Sequence, residues 1–345
     1  MRKIRDHRGP ARCFLMTDAR RGPSFFHSDL EYYVANSSGL NRTGALSRIT
    51  VAAITAALVG TTTAAVAADA PQASLPAKSA KQLAAAPAAS AANAAATSAE
   101  AELRALQAVS GSSLYWYEPN GSGGYEAREY GNSTWGAVKA AQQADNDGDG
   151  IADDVWALGT DGTLAYGAGE STSNELVRIG GGWNMYNKVI SPGQIGGAAA
   201  ADILARDSSG TMWAYLGYGN GKLATRYSIG GGWNAYNQIA GVGDLSGDGR
   251  TDILGVDGRG DLWLHKGTGD YRKPFNGRTK IGSSWGVYNT VLGVGDLDWD
   301  GYNDLVARDK DGKLYRYSGT GNATVPFKTR VLIGSGGWNT YRILF

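Results

Sequence analysis

Three features predict an all-β chain folded as a five-bladed β-propeller with four-stranded blades, its ring closed by pairing of the N- and C-terminal strands. Tryptophan returns at near-constant intervals: Trp135, Trp183, Trp233, Trp285 and Trp338 lie 48, 50, 52 and 53 residues apart, a period typical of repeat architectures. Within each interval, short runs rich in aromatic and β-branched residues alternate with Gly turns, and no 3.6-residue periodicity competes. The two ends of the repeating region carry complementary parts of one unit.

The elements follow in order. Trp183-Asn184-Met185-Tyr186, Trp233-Asn234-Ala235-Tyr236, Trp285-Gly286-Val287-Tyr288 and Trp338-Asn339-Thr340-Tyr341 share a Trp-x-x-Tyr pattern that leads into the first strand, with Trp135-Gly136-Ala137-Val138 a weaker copy. The second strand is expected at residues 202–207, 252–257 and 304–309. The third follows a Gly turn, as at Met212-Trp213-Ala214-Tyr215, Leu262-Trp263-Leu264-His265 and Leu314-Tyr315-Arg316-Tyr317. The fourth ends in Ile-Gly, at Ile179-Gly180, Ile229-Gly230, Ile281-Gly282 and Ile333-Gly334. Residues 103–109 have the phase of a second strand and residues 341–345 that of the first strand preceding it. Pairing the two closes the ring and removes two exposed edges.

Composition excludes much chemistry. With 33 Lys plus Arg against 32 Asp plus Glu, nothing points to nucleic acid or an anionic membrane as partner. One cysteine excludes an intramolecular disulfide and a Cys-based zinc site, and of three histidines only His265 lies in the repeats. A triad would have to use His265, whose equivalents Tyr215 and Tyr317 mark it as a surface or packing substitution. No Glu follows Glu175, so no glycosidase pair of separated carboxylates is evident, and a non-enzyme is expected.

Four domains are expected. Residues 41–68 read as a secretory signal peptide: the apolar run at 49–60 follows Arg42 and Arg48 and precedes Ala65-Val66-Ala67-Ala68. The run is too weakly apolar to span a membrane. Residues 1–40 do not fit a signal n-region, so either an extension precedes the signal or translation begins near Leu40, the reading preferred. Residues 69–100, rich in Ala, Ser and Pro without an aromatic, form a disordered or partly helical linker, and residues 101–345 the propeller. A secreted monomer is expected.

Three loops carry oxygen ligands at calcium spacing. Asp145, Asp147, Asp149, the Ile151 carbonyl and Asp153 occupy positions 1, 3, 5, 7 and 9, with Gly150 at position 6. Asp296, Asp298, Asp300, the Tyr302 carbonyl and Asp304 repeat the spacing; Asp244, Ser246, Asp248, the Arg250 carbonyl and Asp252 form a third copy. Position 12 is never Glu, so these are blade-connecting loops rather than EF-hands. Clustered carboxylates repel unless a cation neutralises them, so two or three structural calcium (Ca2+) sites are expected; solvated Asx turns are the alternative. The loop at 194–202 has lost its carboxylates and is expected metal-free.

The Asp-x-Asp-x-Asp-Gly-x-x-Asp loops resemble FG-GAP or VCBS repeats of integrin-type propellers. The Ile-Gly-x-Gly-Gly-Trp-Asn-x-Tyr segments and the terminal Gly-Gly-Trp-Asn-Thr-Tyr-Arg-Ile-Leu-Phe resemble tachylectin, a lectin of five tandem repeats, over residues 101–345. The tachylectin resemblance implies binding of N-acetylated sugars between neighbouring blades, although this chain adds the aspartate loops and has Tyr where that family has Phe. Trp183, Trp233, Trp285 and Trp338, with Asn184, Asn234 and Asn339, are the candidate sugar-binding residues, because an aromatic face stacks on a pyranose and an amide orients hydroxyls. A tryptophan repeated once per blade is more often packing between sheets. The competing function is an integrin-like adhesion propeller that docks a cell-surface or extracellular protein, its calcium only structural.

Overall fold

The computed structural model describes residues 101–345, except 170–175 and 198–199; the expected extension, signal peptide and linker lie outside the described residues. Twenty strands form five antiparallel four-stranded sheets. Blade 1 holds β1 (Leu106–Ser110), β2 (Ser113–Tyr117) and β3 (Glu129–Tyr130). Blade 2 is β4 (Val138–Ala144), β5 (Asp154–Gly159), β6 (Leu164–Gly167) and β7 (Val177–Gly180); blade 3 is β8 (Tyr186–Gly193), β9 (Asp202–Asp207), β10 (Met212–Tyr215) and β11 (Tyr227–Gly230). Blade 4 is β12 (Tyr236–Gly241), β13 (Ile253–Asp257), β14 (Leu262–His265) and β15 (Thr279–Gly282). Blade 5 is β16 (Tyr288–Gly295), β17 (Asp304–Asp309), β18 (Leu314–Tyr317) and β19 (Val331–Gly334). The last strand, β20 (Ile343–Leu344), returns to blade 1 and pairs antiparallel with β1. The Gln107 amide donates to the Phe345 carbonyl and the Phe345 amide to the Gln107 carbonyl, at 2.8 and 2.9 Å. The five-bladed ring closed by its two termini is therefore the observed architecture.

The apolar core is distributed between sheets rather than gathered at one centre. Leu254, Val256 and Leu264 of blade 4 pack with Val291, Leu305 and Ala307 of blade 5, and each other pair of neighbouring blades has an equivalent cluster. Alternation along each strand supplies this burial, since a blade buries both faces against its neighbours. Towards the axis the first strands approach too closely for side chains: a Cβ on Gly293 would meet the Gly241 carbonyl oxygen at 2.2 Å.

Each Trp-x-x-Tyr segment opens with a 3-10 turn linking one blade to the next. Its tryptophan amide donates to the turn between the second and third strands of the preceding blade, as Trp183 to Gly162, Trp233 to Gly210, Trp285 to Gly260 and Trp338 to Gly312, at 2.8–3.1 Å. Gly182, Gly232 and Gly337 cap these turns at φ +81°, +91° and +84°, a left-handed conformation that favours glycine. In blade 5 the same place holds Ser284 at φ +67°. No helix among the described residues is long and apolar enough to cross a membrane.

Candidate functional site

Four blades repeat one polar constellation on the face turned towards the preceding blade. The tyrosine of each Trp-x-x-Tyr segment lies across its sheet and meets the last residue of the third strand. Tyr186 meets Tyr215 at 2.6 Å, Tyr288 meets Tyr317 at 2.5 Å, Tyr341 meets Tyr117 at 2.5 Å, and Tyr236 meets Nε2 of His265 at 2.8 Å. An arginine just before the fourth strand donates to the first phenol: Arg226 to Tyr186, Arg278 to Tyr236 at 2.9 Å, Arg330 to Tyr288 at 2.6 Å and Arg128 to Tyr341 at 3.2 Å. Each guanidinium also lies over a third-strand aromatic ring, with Arg278 4.1 Å from the Trp263 centroid and Arg226 4.3 Å from that of Trp213, an arrangement that gains cation–π attraction.

The direction of the arginine bonds follows from donor inventory. Arginine can only donate, so the first phenol accepts from it, and either hydroxyl can donate across the phenol–phenol contact. In blades 1, 3 and 5 the next group is another phenol, and burial, reinforced by the partner tyrosine, pushes Tyr117, Tyr215 and Tyr317 above their ordinary range. In blade 4 it is His265. Burial, and then the Arg278 charge, lowers this imidazole to about 4 despite a backbone hydrogen bond at Gly277, so it is neutral at pH 7 and accepts through Nε2.

Tryptophan completes the stack. Trp183 lies on Tyr215, Trp285 on Tyr317, Trp233 on His265 and Trp338 on Tyr117, with centroids 4.6–4.8 Å apart. Trp183 and Trp285 are each 6% exposed and Trp233 9%, which makes all three packing groups first. Around Trp233 the arrangement opens into a cavity of about 380 Å³ between blades 3 and 4. Trp233 and Phe275 supply its aromatic wall, Tyr236, His265 and Arg278 its polar line, and Gly231 and Gly232 part of its rim.

The asparagines named with these tryptophans do a different job. Nδ2 of Asn234 donates to the Ser208 carbonyl at 3.1 Å and that of Asn339 to the Lys310 carbonyl at 2.8 Å, so both tie the turn of one blade to the next. Oδ1 of Asn184 accepts from Lys139 of the preceding blade. Asn234 is not part of the cavity wall. Sequence reasoning missed Tyr236, Phe275 and Arg278, and read His265 as a surface or packing substitution. One usable signal was present: Arg226, Arg278 and Arg330 recur every 52 residues.

Blade 2 departs from this scheme. Val138, Ala165 and Leu176 stand where other blades carry tyrosine, a third-strand aromatic and arginine, and all three are buried beside Trp135, Val155 and Phe345. The result is an apolar joint next to the ring closure.

The aspartate loops lie between the first and second strands of a single blade, so they do not connect blades as the sequence suggested; the Trp-x-x-Tyr turns do that. In blade 2 the Asp145 carboxylate accepts from the amides of Gly148 and Gly150 at 2.7 and 3.0 Å, and Asp149 from Ile151 at 2.8 Å; the Ile151 carbonyl accepts from Asp153. In blade 5 Asp296 accepts from Asp300 and Gly301, and Asp300 from Tyr302. In blade 4 Asp244 accepts from Gly247 and Gly249, and Asp248 from Arg250. Carboxylate oxygens of Asp145, Asp147 and Asp149 lie within 4.8 Å of one another, as do those of Asp296, Asp298 and Asp304. Among the described residues, Asp244, Asp248 and Asp252 do not form a third such group.

One position differs from the sequence register. Asp252 and Asp304 each receive two sets of backbone amides, from the loop and from the end of the third strand: Leu245, Ser246 and Gly267 for Asp252, Leu297 and Gly319 for Asp304. In blade 2 this place is taken by Asp154, which accepts from Asn146 and Gly169 at 3.2 and 3.0 Å, and not by Asp153. The pairings Ala144 with Asp154 and Gly295 with Asp304 leave nine loop residues in blade 2 and eight in blade 5, so the extra residue displaces Asp153 from the register.

These donor sets suit a hard cation. Oδ1 of Asp298 is buried without a hydrogen-bond partner, Ser246 lies against Asp252, and carboxylate, hydroxyl and carbonyl oxygens are what calcium selects. Burial raises Asp145 to about 6, Asp252 to about 6 and Asp304 to about 7, a cost that a bound cation would offset. Protein cations already take part of this role: Nζ of Lys266 lies 3.1 Å from Asp248, Nζ of Lys328 2.7 Å from Asp300, and Arg316 3.3 Å from Asp298.

Blades and loops together define the class, a five-bladed β-propeller with acidic loops between the first and second strands of blades 2, 4 and 5. The chain carries FG-GAP-like repeats, which match at residues 199–255 and 244–307, across blades 3 to 5. No curated protein shows significant similarity. Among solved structures, the BP39L lectin from Burkholderia pseudomallei is 15% identical, covering 69% of this chain and 72% of that one at a TM-score of 0.40. A mutant of AofleA from Arthrobotrys oligospora is 10% identical, covering 69% and 73% at 0.39. Human WBSCR16 is 11% identical, covering 64% of each chain at 0.30. The blade count rests on the strand pairing of this chain.

Proposed function

We propose that this protein is a secreted, non-enzymatic, lectin-like propeller that binds N-acetylated sugars in its inter-blade clefts. The observation that carries the reading is the cavity at Trp233. At about 380 Å³ it lies within the size range of small-molecule sites and pairs aromatic surface with fixed donors. The indole and Phe275 offer faces for the apolar side of a pyranose ring and the N-acetyl methyl. Arg278, held over Trp263 and bonded to Tyr236, supplies an oriented donor for a hydroxyl or the acetamide oxygen. His265, neutral and engaged with Tyr236, orients the site and is a weak base, consistent with binding rather than catalysis.

Calcium belongs to the same reading as a structural ion. Asp145, Asp147 and Asp149 would hold it in blade 2 and Asp296, Asp298 and Asp304 in blade 5, with Asp244, Ser246, Asp248 and Asp252 a third candidate set. The ion would supply charge neutralisation that pins each loop to its blade. A glycan array with and without calcium tests the proposal. Binding confined to N-acetylated sugars supports it, and no signal for any of them overturns it.

A second reading, docking of a protein through one face, is favoured by Trp299. This tryptophan is 46% exposed at φ +59°, where the equivalent loops carry Gly148 and Gly247. A bulky residue in that conformation is strained and calls for a functional explanation. Capture of a protein partner that survives excess free sugar and fails with Trp299→Gly would select this reading.

A further inference from the structure

The charge of the blade 3–blade 4 cavity narrows its ligand. Three cationic side chains, Arg272, Lys273 and Arg278, contribute to its wall and no carboxylate does. Neither Arg272 nor Lys273 forms an ion pair among the described residues, and both are exposed. The nearby carboxylate of Asp270 accepts the Arg272 amide at 2.9 Å and is not part of the wall. Lys280 is paired with Asp261 at 2.8 Å and likewise stands outside it.

Blade 5 provides an internal control. Its loop between β18 and β19 keeps the same frame, with Pro326-Phe327 matching Pro274-Phe275 and Arg330 matching Arg278. Both loops close similarly: the Thr268 amide donates to the Pro274 carbonyl and the Thr320 amide to the Pro326 carbonyl, at 3.0 and 3.1 Å. Thr324 and Val325 stand where blade 4 has Arg272 and Lys273, and Val325 is 62% exposed. The loop therefore folds without the two cations. They are an addition at the mouth of the cavity, beside an arginine that every polar blade shares.

We infer that this cavity prefers an N-acetylated sugar carrying a carboxylate, such as N-acetylmuramic or N-acetylneuraminic acid, over a neutral one. The inference rests on the sugar-binding reading above. Aromatic surface at Trp233 and Phe275 takes the ring and acetyl methyl, while the guanidinium and ammonium groups at the rim meet the carboxylate. Charge-assisted bonds of this type are stronger than neutral ones, and at an open rim they weaken with salt.

Calorimetric titration of the full chain with N-acetylglucosamine, N-acetylmuramic acid and N-acetylneuraminic acid tests this at low and high salt. The expected result is binding of at least one acidic sugar on the order of tenfold tighter than N-acetylglucosamine, a ratio that shrinks as salt rises. The Arg272→Thr/Lys273→Val double variant, which copies the blade 5 loop, should bring that ratio close to one. Comparing the two acids identifies the source, bacterial wall saccharide or sialylated glycan, and a gain for either supports the inference. Equal or tighter binding of the neutral sugar overturns it and leaves the lectin reading intact. Failure of all three sugars overturns both. If the double variant does not fold, the salt dependence of the wild-type ratio decides alone, and a salt-independent ratio overturns the inference.

Discussion

Blades 3 and 5 begin their second strands with the same aspartate and differ in the loop before it. Asp202 accepts from the amides of Ile195 and Gly217, both at 2.9 Å; Asp304 accepts from Leu297 and Gly319 at 3.1 and 2.8 Å. Blade 5 adds Asp296, Asp298 and Asp300 upstream, where blade 3 has Gln194-Ile195-Gly196-Gly197. The strand-head carboxylate therefore serves the fold whether or not the loop is acidic. It bolts the first connection of a blade to the end of its third strand. Asp304 also stands in an oxygen cluster with Asp296 and Asp298, so it is the carboxylates upstream that separate a cation site from this structural role.

Breaking the bolt should have the largest effect. Asp202→Ala strands two backbone amides in a fully buried place, and each unpaired buried donor costs about 1–3 kcal/mol. Chemical denaturation should show a loss of about 3 kcal/mol, equal in calcium and in chelator. A loss below about 1 kcal/mol would mean that the amides find other partners. Removing calcium comes next: chelator should lower wild-type stability by about 2 kcal/mol, the gain expected when an ion is well above its dissociation constant. Asp298→Ala should shrink that difference while Asp202→Ala leaves it unchanged. Identical wild-type melts in calcium and chelator would remove calcium from the account.

A smaller effect sharpens the contrast from within blade 5. Arg316 lies 3.3 Å from Asp298 and competes with any cation for it, so Arg316→Gln should enlarge the calcium increment by about 1 kcal/mol or less. An unchanged increment would show that the guanidinium and the ion do not share the carboxylate. The last effect is a pH dependence. Burial outweighs the two amide bonds and raises Asp202 to about 7, above its unfolded value near 4. The folded protein then holds the proton more tightly between those limits, so this group's contribution is full below about pH 4 and declines as pH rises through 7. The stability gap between wild type and Asp202→Asn should narrow from pH 5 to pH 8. A gap that widens would reverse the sign.

Much of the ring was legible because its signals are local or periodic. Trp spacing set the blade count, the Ile-Gly runs marked fourth strands, and residues 341–345 placed the closing strand that pairs with Ala108 and Val109. The aspartate loops were legible as spacing, but their register was not. Asp153 and Asp154 are adjacent acids, and only the pairing of Asp154 with Ala144 shows which one enters the sheet. The asparagines beside Trp233 and Trp338 looked like ligand contacts because their types suit sugars. Their partners, the Ser208 and Lys310 carbonyls, belong to other blades and lie 26 and 29 residues away.

By itself the sequence determined an all-β repeat, five units, the permuted seam and the composition of the acidic loops, since each is written in residue type at short range or in a fixed period. Tertiary structure alone decided that Trp183 and Trp285 are covered while the surroundings of Trp233 open, and that Arg278, Tyr236 and His265 form one line. Residues 42 and 29 apart in the chain meet only when strands lie side by side. Whether an aromatic face is wall or core depends on what the neighbouring blade places over it, and no run of residues within one repeat encodes that distance.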